Sequence, residues 1–571
     1  MALSRDRALF KKGMTMAQAE NAELVFVPLG GVGEIGMNFA LYGYGPATAR
    51  EWLIVDVGVT FPDPSHPGVD LILPDTRFIE ENIANLRGIV ITHAHEDHYG
   101  ALHDIWPRLK APVWMTPFSA GLLEAKRQGE QGAPKIPVTV YRAGEKFTIG
   151  PFEIEAIPVA HSIPEPMSLA ITTPAGTVIH TGDWKIDPAP TLGPKTDEAR
   201  FRAYGDKGVL ALVCDSTNAL REGDSPSEQE VGASLKTLIE QAKGRVAITT
   251  FSSNVGRIIS IARAARDAGR KCLVLGRSLK RVIDVADELG YMDGLPEFVA
   301  EEDYGFIDRK NLVIICTGSQ GEPLAALAKL SRDEMKTVSL TTGDTVIFSS
   351  RTIPGNEKAI LEIKNRLIDL GMKIIEDGDA LVHVSGHPRR SELKRMYEWV
   401  RPQIGVPVHG EAAHLIAQGS LMAMSGIAQV AQIRDGDMLR LYPGSAAIID
   451  QVPFGRVYKD GRLVGSDEAM GIKDRRKLSF AGHVAVNVVL DDKYELAGDP
   501  DLVAIGVAET DASGETLEDL MLDAAIGAVD SIPRQRRKDL DLVQESVRRA
   551  VRAAANEAWG KKPLVTVFVT R

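Results

Sequence analysis

Cysteine is scarce in this chain: Cys214, Cys272 and Cys316 are the only three in 571 residues, and they lie far apart in sequence. No CxxC pair occurs, so neither a disulfide framework nor a cysteine-built zinc site is expected. Cys214 and Cys316 sit in apolar runs and read as buried small hydrophobes of a reducing compartment. Long hydrophobic runs are missing as well, which excludes a membrane-spanning helix. The opening MALSRDRALFKKGMTMAQAE lacks the apolar core of a signal peptide. The expectation is a cytoplasmic protein with no membrane partner. Positive charge is also in short supply, with 66 Lys and Arg against 77 Asp and Glu, a net charge of −11. That balance argues against a nucleic-acid partner without excluding one. Local fields and bound divalent cations outweigh net charge at a site.

What is present is ordinary globular sequence, 44% hydrophobic and 25% charged. At roughly 150 residues per domain the length suggests about three or four folding units. Short apolar runs bounded by Gly and Pro read as strands from Leu24 to about Asp183: LVFVPLG, FALYGY, EWLIVDVG, GIVITH, PVWMT, FTIGPFEIEAIPV, SLAITT and TVIHTGD. From about Ser225 the texture changes. Helical SEQEVGASLKTLIEQAK precedes strand RVAITTF, and helical GRIISIARAARDAG precedes KCLVLG. NLVIICTG, TVIFSS and helical NEKAILEIKNRLIDLG follow, an alternation that predicts a parallel sheet with covering helices. Past Gln451 a third unit holds strands VAVNVVL, LVAIGVA and LVTVFVT and an apolar helical stripe at 540–558. No internal repeat or low-complexity segment is present.

Gly31, Gly33 and Gly36 imitate a dinucleotide-binding fingerprint, with Asp56 twenty residues on. That fingerprint needs a helix directly after the glycines, to set its N-terminus against the pyrophosphate. MNFALYGYGPA follows instead and reads as strand and turn, so the glycines are expected to shape a tight turn beside a site.

The chemistry lies in GIVITHAHEDHYGAL. A strand, Gly88 to Thr92, runs into His93-x-His95-x-Asp97-His98. In extended chain alternate residues point the same way, so His93 and His95 can grip one ion together. Three imidazoles and a carboxylate within six residues suit zinc. Chance is a poor explanation, because the whole chain has only 12 His. Further ligand types stand at strand ends: His161 after FEIEAIPVA, Asp183 after TVIHTG and His409 after IGVPV. Each alone would be an ordinary polar residue. Together they complete two sites, His93, His95 and His161 for one ion and Asp97, His98 and His409 for the other, with Asp183 shared. Two divalent ions would acidify water into a nucleophile at neutral pH and stabilise charge on an anionic transition state.

HAHEDH, His161 and the TGD ending in Asp183 resemble motifs of the metallo-β-lactamase fold, a four-layer αββα sandwich. Asp56 in LIVDVG resembles that fold's early aspartate, which supports a ligand rather than binding metal. CDSTNA with Asp215, VSGH with His387 and VPVHGE with His409 resemble the motifs of the β-CASP nucleases. TFSSN, TGSQGEP, SSRTIPGNE, VSGH and PVHGE, in that order, are similar to the bacterial ribonuclease J family over about residues 22–447, with a weaker likeness beyond. Tyr99 departs from the pattern, since an aliphatic residue is commoner there, and leaves the ligands untouched.

The resemblance implies an α/β protein: an N-terminal extension (1–21), a metallo-β-lactamase domain in two parts (22–219 and 373–447), an inserted α/β β-CASP domain (220–372), a linker (448–465) and a small α+β C-terminal domain (466–571). The 226 positions between Asp183 and His409 (409 − 183) suit such an insert. It implies a ribonuclease with 5′-to-3′ exonuclease and endonuclease action and a role in rRNA maturation and mRNA decay. Two Zn2+ per subunit are implied as cofactors, with Mn2+ or Mg2+ as alternatives in activity. Asp97 and Asp183 would serve catalysis through the ions, and His387 would stabilise charge or protonate the leaving 3′-oxygen. Asp215 is expected to orient a ligand histidine, with Glu411 a weaker candidate for that task. Ser252, Ser253 and Asn254, together with His383, Val384, Ser385, Gly386 and His387, would contact the nucleotide, with a pocket for a 5′-monophosphate. The basic pairs Arg389-Arg390 and Lys394-Arg395, and the run from Arg534 to Lys538, are solvated faces of which some would track RNA. The partner is single-stranded RNA, and the C-terminal unit would support a homodimer or homotetramer, lost on truncation after about residue 450.

Two other classes fit parts of the pattern. A small-ester or lactam hydrolase on the same metal core would leave the insert and His387 without a task. A non-catalytic RNA-binding scaffold would leave a costly cluster of buried polar groups unused.

Overall fold

The computed structural model describes residues 21–571. They divide into two compact units, one built from the chain up to Thr60 with Leu73–Arg456, the other from Phe61–Ile72 with Val457–Arg571.

Two sheets form the heart of the first unit. One has eight strands in the order Ala447–Gln451, Asp437–Tyr442, Glu23–Gly30, Phe39–Gly45, Glu51–Val55, Leu86–Val90, Val113–Met115 and Val138–Val140. The other has seven: Gln429–Val430, Pro402–Val408, Val209–Asp215, Gly176–His180, Met167–Thr173, Phe152–Pro158 and Lys146–Ile149. Alternating side chains of both sheets interdigitate in one core, with Phe26, Tyr42, Leu53 and Val55 from the first against Phe152, Ile154, Leu169 and Val213 from the second. The opposite face of the second sheet buries Ile179, Leu212 and Cys214 against Phe201, Tyr397 and Trp399 of helices Glu198–Lys207 and Arg390–Val400. Trp52, on the outer face of the first sheet, meets Phe78 of helix Arg77–Glu81 edge-on at 5.3 Å. Helix, sheet, sheet, helix is the four-layer α/β sandwich expected from the motifs. All three cysteines are buried.

Strand Val209–Asp215 pairs in parallel with Pro402–Val408, Asp215 opposite Val408. The chain therefore leaves this sheet and returns beside its point of departure. The excursion carries a wholly parallel six-stranded sheet, in the order Phe298–Val299, Lys271–Leu275, Leu312–Cys316, Val246–Thr249, Thr345–Phe348, Lys373–Ile375. Its last strand begins at Lys373, just past the expected end of the insert at 372, because Lys373–Ile375 completes the ladder on Thr345–Phe348.

The segment 448–465, expected to be a linker, is largely strand. Ala447–Gln451 continues the first sheet, and Arg456–Asp460 pairs with Leu463–Gly465. In the second unit three strands, Asp501–Ile505, His483–Val489 and Leu564–Thr570, carry helices Leu517–Asp530 and Leu540–Trp559 packed over Val484, Val486, Val488 and Val567. The loop at 61–72 joins this unit, Asp70 accepting from Gly461 N–H at 2.7 Å and donating its own N–H to the Lys459 carbonyl at 2.9 Å. No such role was foreseen for it. The expected N-terminal extension at 1–21 lies outside the described residues except for its last position.

Candidate metal centre

The singled-out residues of the sandwich stand where strands end. Asp56 follows Glu51–Val55, His93 to His98 follow Leu86–Val90, His161 follows Phe152–Pro158, Asp183 follows Gly176–His180 and His409 follows Pro402–Val408. Past a strand end the backbone is free of ladder bonds and can turn side chains to a common point. Two of these positions, Asp56 (φ 65°) and His409 (φ 52°), adopt the left-handed conformation that L-residues rarely hold, a strain that tends to collect at functional sites. The glycines explain how His409 is held. Gly31 accepts its backbone N–H at 2.7 Å and Gly33 donates to Gly410 O at 3.0 Å, with Gly31 and Gly33 at φ 86° and 98°. The turn expected from the false fingerprint thus cradles a candidate ligand, His409.

The ligand atoms converge as two groups sharing one carboxylate. In each of the sets His93, His95, His161, Asp183 and Asp97, His98, Asp183, His409, the candidate atoms lie within 4.8 Å of one another. In the first, His95 Nδ1 stands 3.1 Å from His93 Nε2 and 3.0 Å from His161 Nε2. In the second, Asp97 Oδ2 lies 3.6 Å from His98 Nε2 and 3.2 Å from His409 Nε2. Asp183 Oδ2 sits between them, 3.3, 3.6 and 3.7 Å from Nε2 of His98, His161 and His93. Four donors at the usual zinc–nitrogen distance sit about 3.3 Å apart around a tetrahedron, so these spacings fit a metal. Burial pushes the His93, His95 and His161 imidazoles toward the neutral form that ligates, His95 to about 4. Asp183 Oδ1 lies 2.8 Å from His409 Nδ1 and Asp97 Oδ2 3.2 Å from His409 Nε2, yet the buried Asp183 Oδ1 and both His409 nitrogens lack hydrogen-bond geometry, and a bound cation would give the carboxylates and one ring nitrogen a partner. The residues present fit a pair of divalent ions.

The outer nitrogens of four of the ligand imidazoles are tied down. His98 Nδ1–H donates to Asp56 at 2.7 Å, His93 Nδ1–H to Thr92 Oγ1 at 3.0 Å, His161 Nδ1–H to the Gly386 carbonyl at 2.7 Å and His95 Nε2–H to Ser253 Oγ at 3.1 Å. Such bonds fix tautomer and ring orientation. The last two reach across from the insert and from the returning chain. Gly386 has to be glycine, because a Cβ there would lie 2.4 Å from His161 Nδ1.

Among the other singled-out residues, His387 Nδ1–H donates to Asp215 Oδ2 at 2.8 Å and lies 3.8 Å from Asp183 Oδ2. Burial opposes protonation of His387, but the Asp215 and Asp183 charges outweigh it and raise its pKa. Asp215 was expected to orient a ligand histidine. Its close partner is instead His387, with His409 Nδ1 farther off at 3.7 Å, because the two motif loops bring His387 nearer. Glu411 is exposed at the start of helix Ala412–Met424 and makes no hydrogen bond to a ligand, so adjacency to His409 in sequence misled. Asn254 accepts Arg257 N–H and caps helix Val255–Asp267, leaving Ser252 and Ser253 as the available hydroxyls of that turn. Val384 is buried, so only its backbone is on offer. His383 is mostly buried with Nδ1 unpartnered, and Ser385 Oγ accepts from Asn218 at 3.0 Å. Asn38 was missed. Its Nδ2 donates to the Asp97 carbonyl and lies 3.1 Å from both that oxygen and His98 Nε2. No local signal marks an asparagine in the middle of an apolar stretch.

Four family models match the chain: the metallo-beta-lactamase superfamily over residues 47–248, the ribonuclease J beta-CASP domain over 243–367, the Zn-dependent metallo-hydrolase RNA specificity domain over 379–430 and the ribonuclease J C-terminal domain over 470–571. The chain is 62% identical over 553 residues to the ribonuclease J of Sinorhizobium meliloti, covering 97% of this chain and 98% of that one. It is 37% identical to the ribonuclease J of Mycolicibacterium smegmatis, covering 95% and 96%, and 36% identical to that of Corynebacterium glutamicum, covering 91% and 74%. Among solved structures, a protein of unknown function from Enterococcus faecalis overlays with a TM-score of 0.50 at 14% identity, over 73% of this chain and 100% of that one, a likeness of fold alone.

Proposed function

This chain belongs to the ribonuclease J family and is a metal-dependent ribonuclease, and from that premise we propose that it cuts single-stranded RNA both from a 5′-monophosphorylated end, in the 5′-to-3′ direction, and internally. The observation that carries the reading is the convergence of seven side chains from distant strand ends on two sites sharing Asp183. Two zinc ions are the proposed occupants, with Mn2+ or Mg2+ able to serve in activity. Bound there, such ions supply Lewis acidity to the phosphodiester and lower the pKa of water toward neutrality.

The chain's own residues set the geometry. His93, His95 and His161 present neutral nitrogens to one position, and Asp97, His98 and His409 face the other. Asp56 and Ser253 hold two of these rings from behind. His387, pinned by Asp215, is partly open to solvent and keeps its Nε2 for substrate. The proposed task of that nitrogen is to steady charge on the phosphoryl group or to hand a proton to the departing 3′-oxygen. Ser252, Ser253 and the stretch from His383 to Gly386 lie on loops beside the cluster and are the proposed contacts for the terminal nucleotide. rRNA maturation and mRNA decay are the proposed cellular tasks. No helix among the described residues is long and apolar enough to cross a membrane, and a cytoplasmic place is proposed.

The test is degradation of one RNA bearing either a 5′-monophosphate or a 5′-triphosphate. Mononucleotides released faster from the monophosphate, with internal fragments from both, are expected. Equal rates from both ends without internal fragments would defeat the reading.

A further inference from the structure

Asn218 links the sandwich to the insert. Its Nδ2 donates to Ser385 Oγ and to the His387 carbonyl, both at 3.0 Å, while its Oδ1 accepts from Arg351 Nη1 at 3.2 Å. Arg351 lies just past the carboxyl end of strand Thr345–Phe348, and Ser253 just past that of Val246–Thr249, its neighbour in the parallel sheet. Open parallel sheets bind ligands at such ends, where strand order reverses.

The chain just after Asn218 and the chain just after His387 are stitched together. Arg390 N–H donates to the Arg221 carbonyl at 2.9 Å, Ser391 N–H to Gly223 O at 3.3 Å and Arg390 Nη1 to Ala219 O at 3.3 Å. Arg221 on one segment and Arg389 on the other are thus brought close, and both lie near enough to Arg351 of the insert to act on its charge, while Asn218 ties Arg351 to the His387 backbone. Burial, then the charges of Arg221 and Arg389, lower the Arg351 guanidinium pKa, and Asp377 pulls the other way.

The cations nearby are treated differently. Arg390 pairs with Glu222 at 2.8 Å and Arg395 with Asp224. Arg221, Arg351 and Arg389 have no carboxylate at ion-pair distance among the described residues, although acids outnumber bases along the chain. Like charges kept together without a counter-charge repel, and a bound polyanion relieves the repulsion.

We propose that Arg221, Arg351 and Arg389 form a grip for internal backbone phosphates of the RNA strand next to the bond being cut. The grip rests on the ribonuclease reading above and adds residues to it. It tracks the strand by charge and carries no base specificity.

The test uses the full chain with Asp183→Ala, so that RNA stays intact, and measures binding of a 3′-labelled single strand by fluorescence anisotropy over a series of salt concentrations. Three phosphate contacts at roughly 0.7 each predict that replacing all three arginines by alanine lowers the salt slope by about 2 and weakens binding at low salt at least about tenfold. The loss is the same for strands with a 5′-hydroxyl or a 5′-monophosphate. Arg351→Gln alone lowers the slope by about 0.7, whereas Arg351→Lys, which keeps the charge, preserves it. These single exchanges decide the matter if the triple variant fails to fold. An unchanged slope in Arg351→Gln, or a loss confined to 5′-monophosphorylated RNA, would overturn the grip. Failure of the parent chain to cut RNA would instead strike at the reading of the active site, independently of these binding curves.

Discussion

His387 illustrates how one residue can be set apart from five neighbouring histidines of the same chemistry. The ligand histidines turn a nitrogen into the cluster, but His387 gives its Nδ1–H to Asp215 at 2.8 Å and remains 18% exposed at its side chain. A proton-transfer group typically contributes 10²–10⁴-fold, so His387→Ala should lower kcat by roughly that factor while leaving metal content intact. Elemental analysis beside the kinetics checks this, and a loss of metal in that variant would make His387 a ligand instead. At this scale the sequence was legible where residue type and motif spacing coincide, as in His93 to His98. It was opaque for Asn38, whose role arises only because Gly58 and Asn38 are folded against the Asp97 backbone, with Gly58 N–H donating to Asn38 O at 2.9 Å and a Cβ on Gly58 landing 1.8 Å from Asp97 O.

Elements are placed by buried charge as well as by apolar faces. Glu155 on strand Phe152–Pro158 is buried and receives hydrogen bonds from Arg200 and, at 2.6 Å, from Tyr204 of helix Glu198–Lys207. Burial alone would raise its pKa, but the bonds from Arg200, Tyr204 and Lys146 outweigh that and bring it down to about 2. A depressed carboxylate stabilises the fold above its unfolded value of 4.5, and the contribution fades as pH falls toward about 2. Glu155→Gln should therefore cost roughly 1.5–3 kcal/mol at neutral pH. Melting curves of the two proteins should converge as pH drops through that window. A gap in melting temperature independent of pH would refute the electrostatic account. Strands and helices with an apolar rhythm were readable from sequence, since the rhythm is the cause of their burial. Lys373–Ile375 and the hairpin Arg456–Gly465 were not, because strands this short owe their existence to the partner they pair with.

Across the whole molecule, long-range topology does what local pattern cannot announce. The pairing of Val209–Asp215 with Pro402–Val408 returns the chain to its sheet and brings Asp215 and His409 together, while the loop at 61–72 joins a unit whose other residues begin at Val457. The insert itself was legible, because its βα alternation contrasts with the strands around it. In the C-terminal unit the sheet face away from its helices leaves Val503, Ile505 and Phe568 57%, 65% and 58% exposed. Self-association with a second copy is the proposed use of that face. Ile505→Asp with Phe568→Asp should shift the mass in light scattering toward monomer, and an unchanged mass would refute it.

Seven side chains are proposed to hold two cations that would supply Lewis acidity for the hydrolysis of RNA. The most direct measurement is the metal content of the purified chain and of its His409→Ala and Asp183→Ala variants by mass spectrometry, with RNA cleavage followed on the same samples. Two divalent ions per chain are expected, with at most one in either variant and cleavage lost together with the metal. Full metal content in Asp183→Ala, or undiminished cleavage without metal, would contradict the proposal.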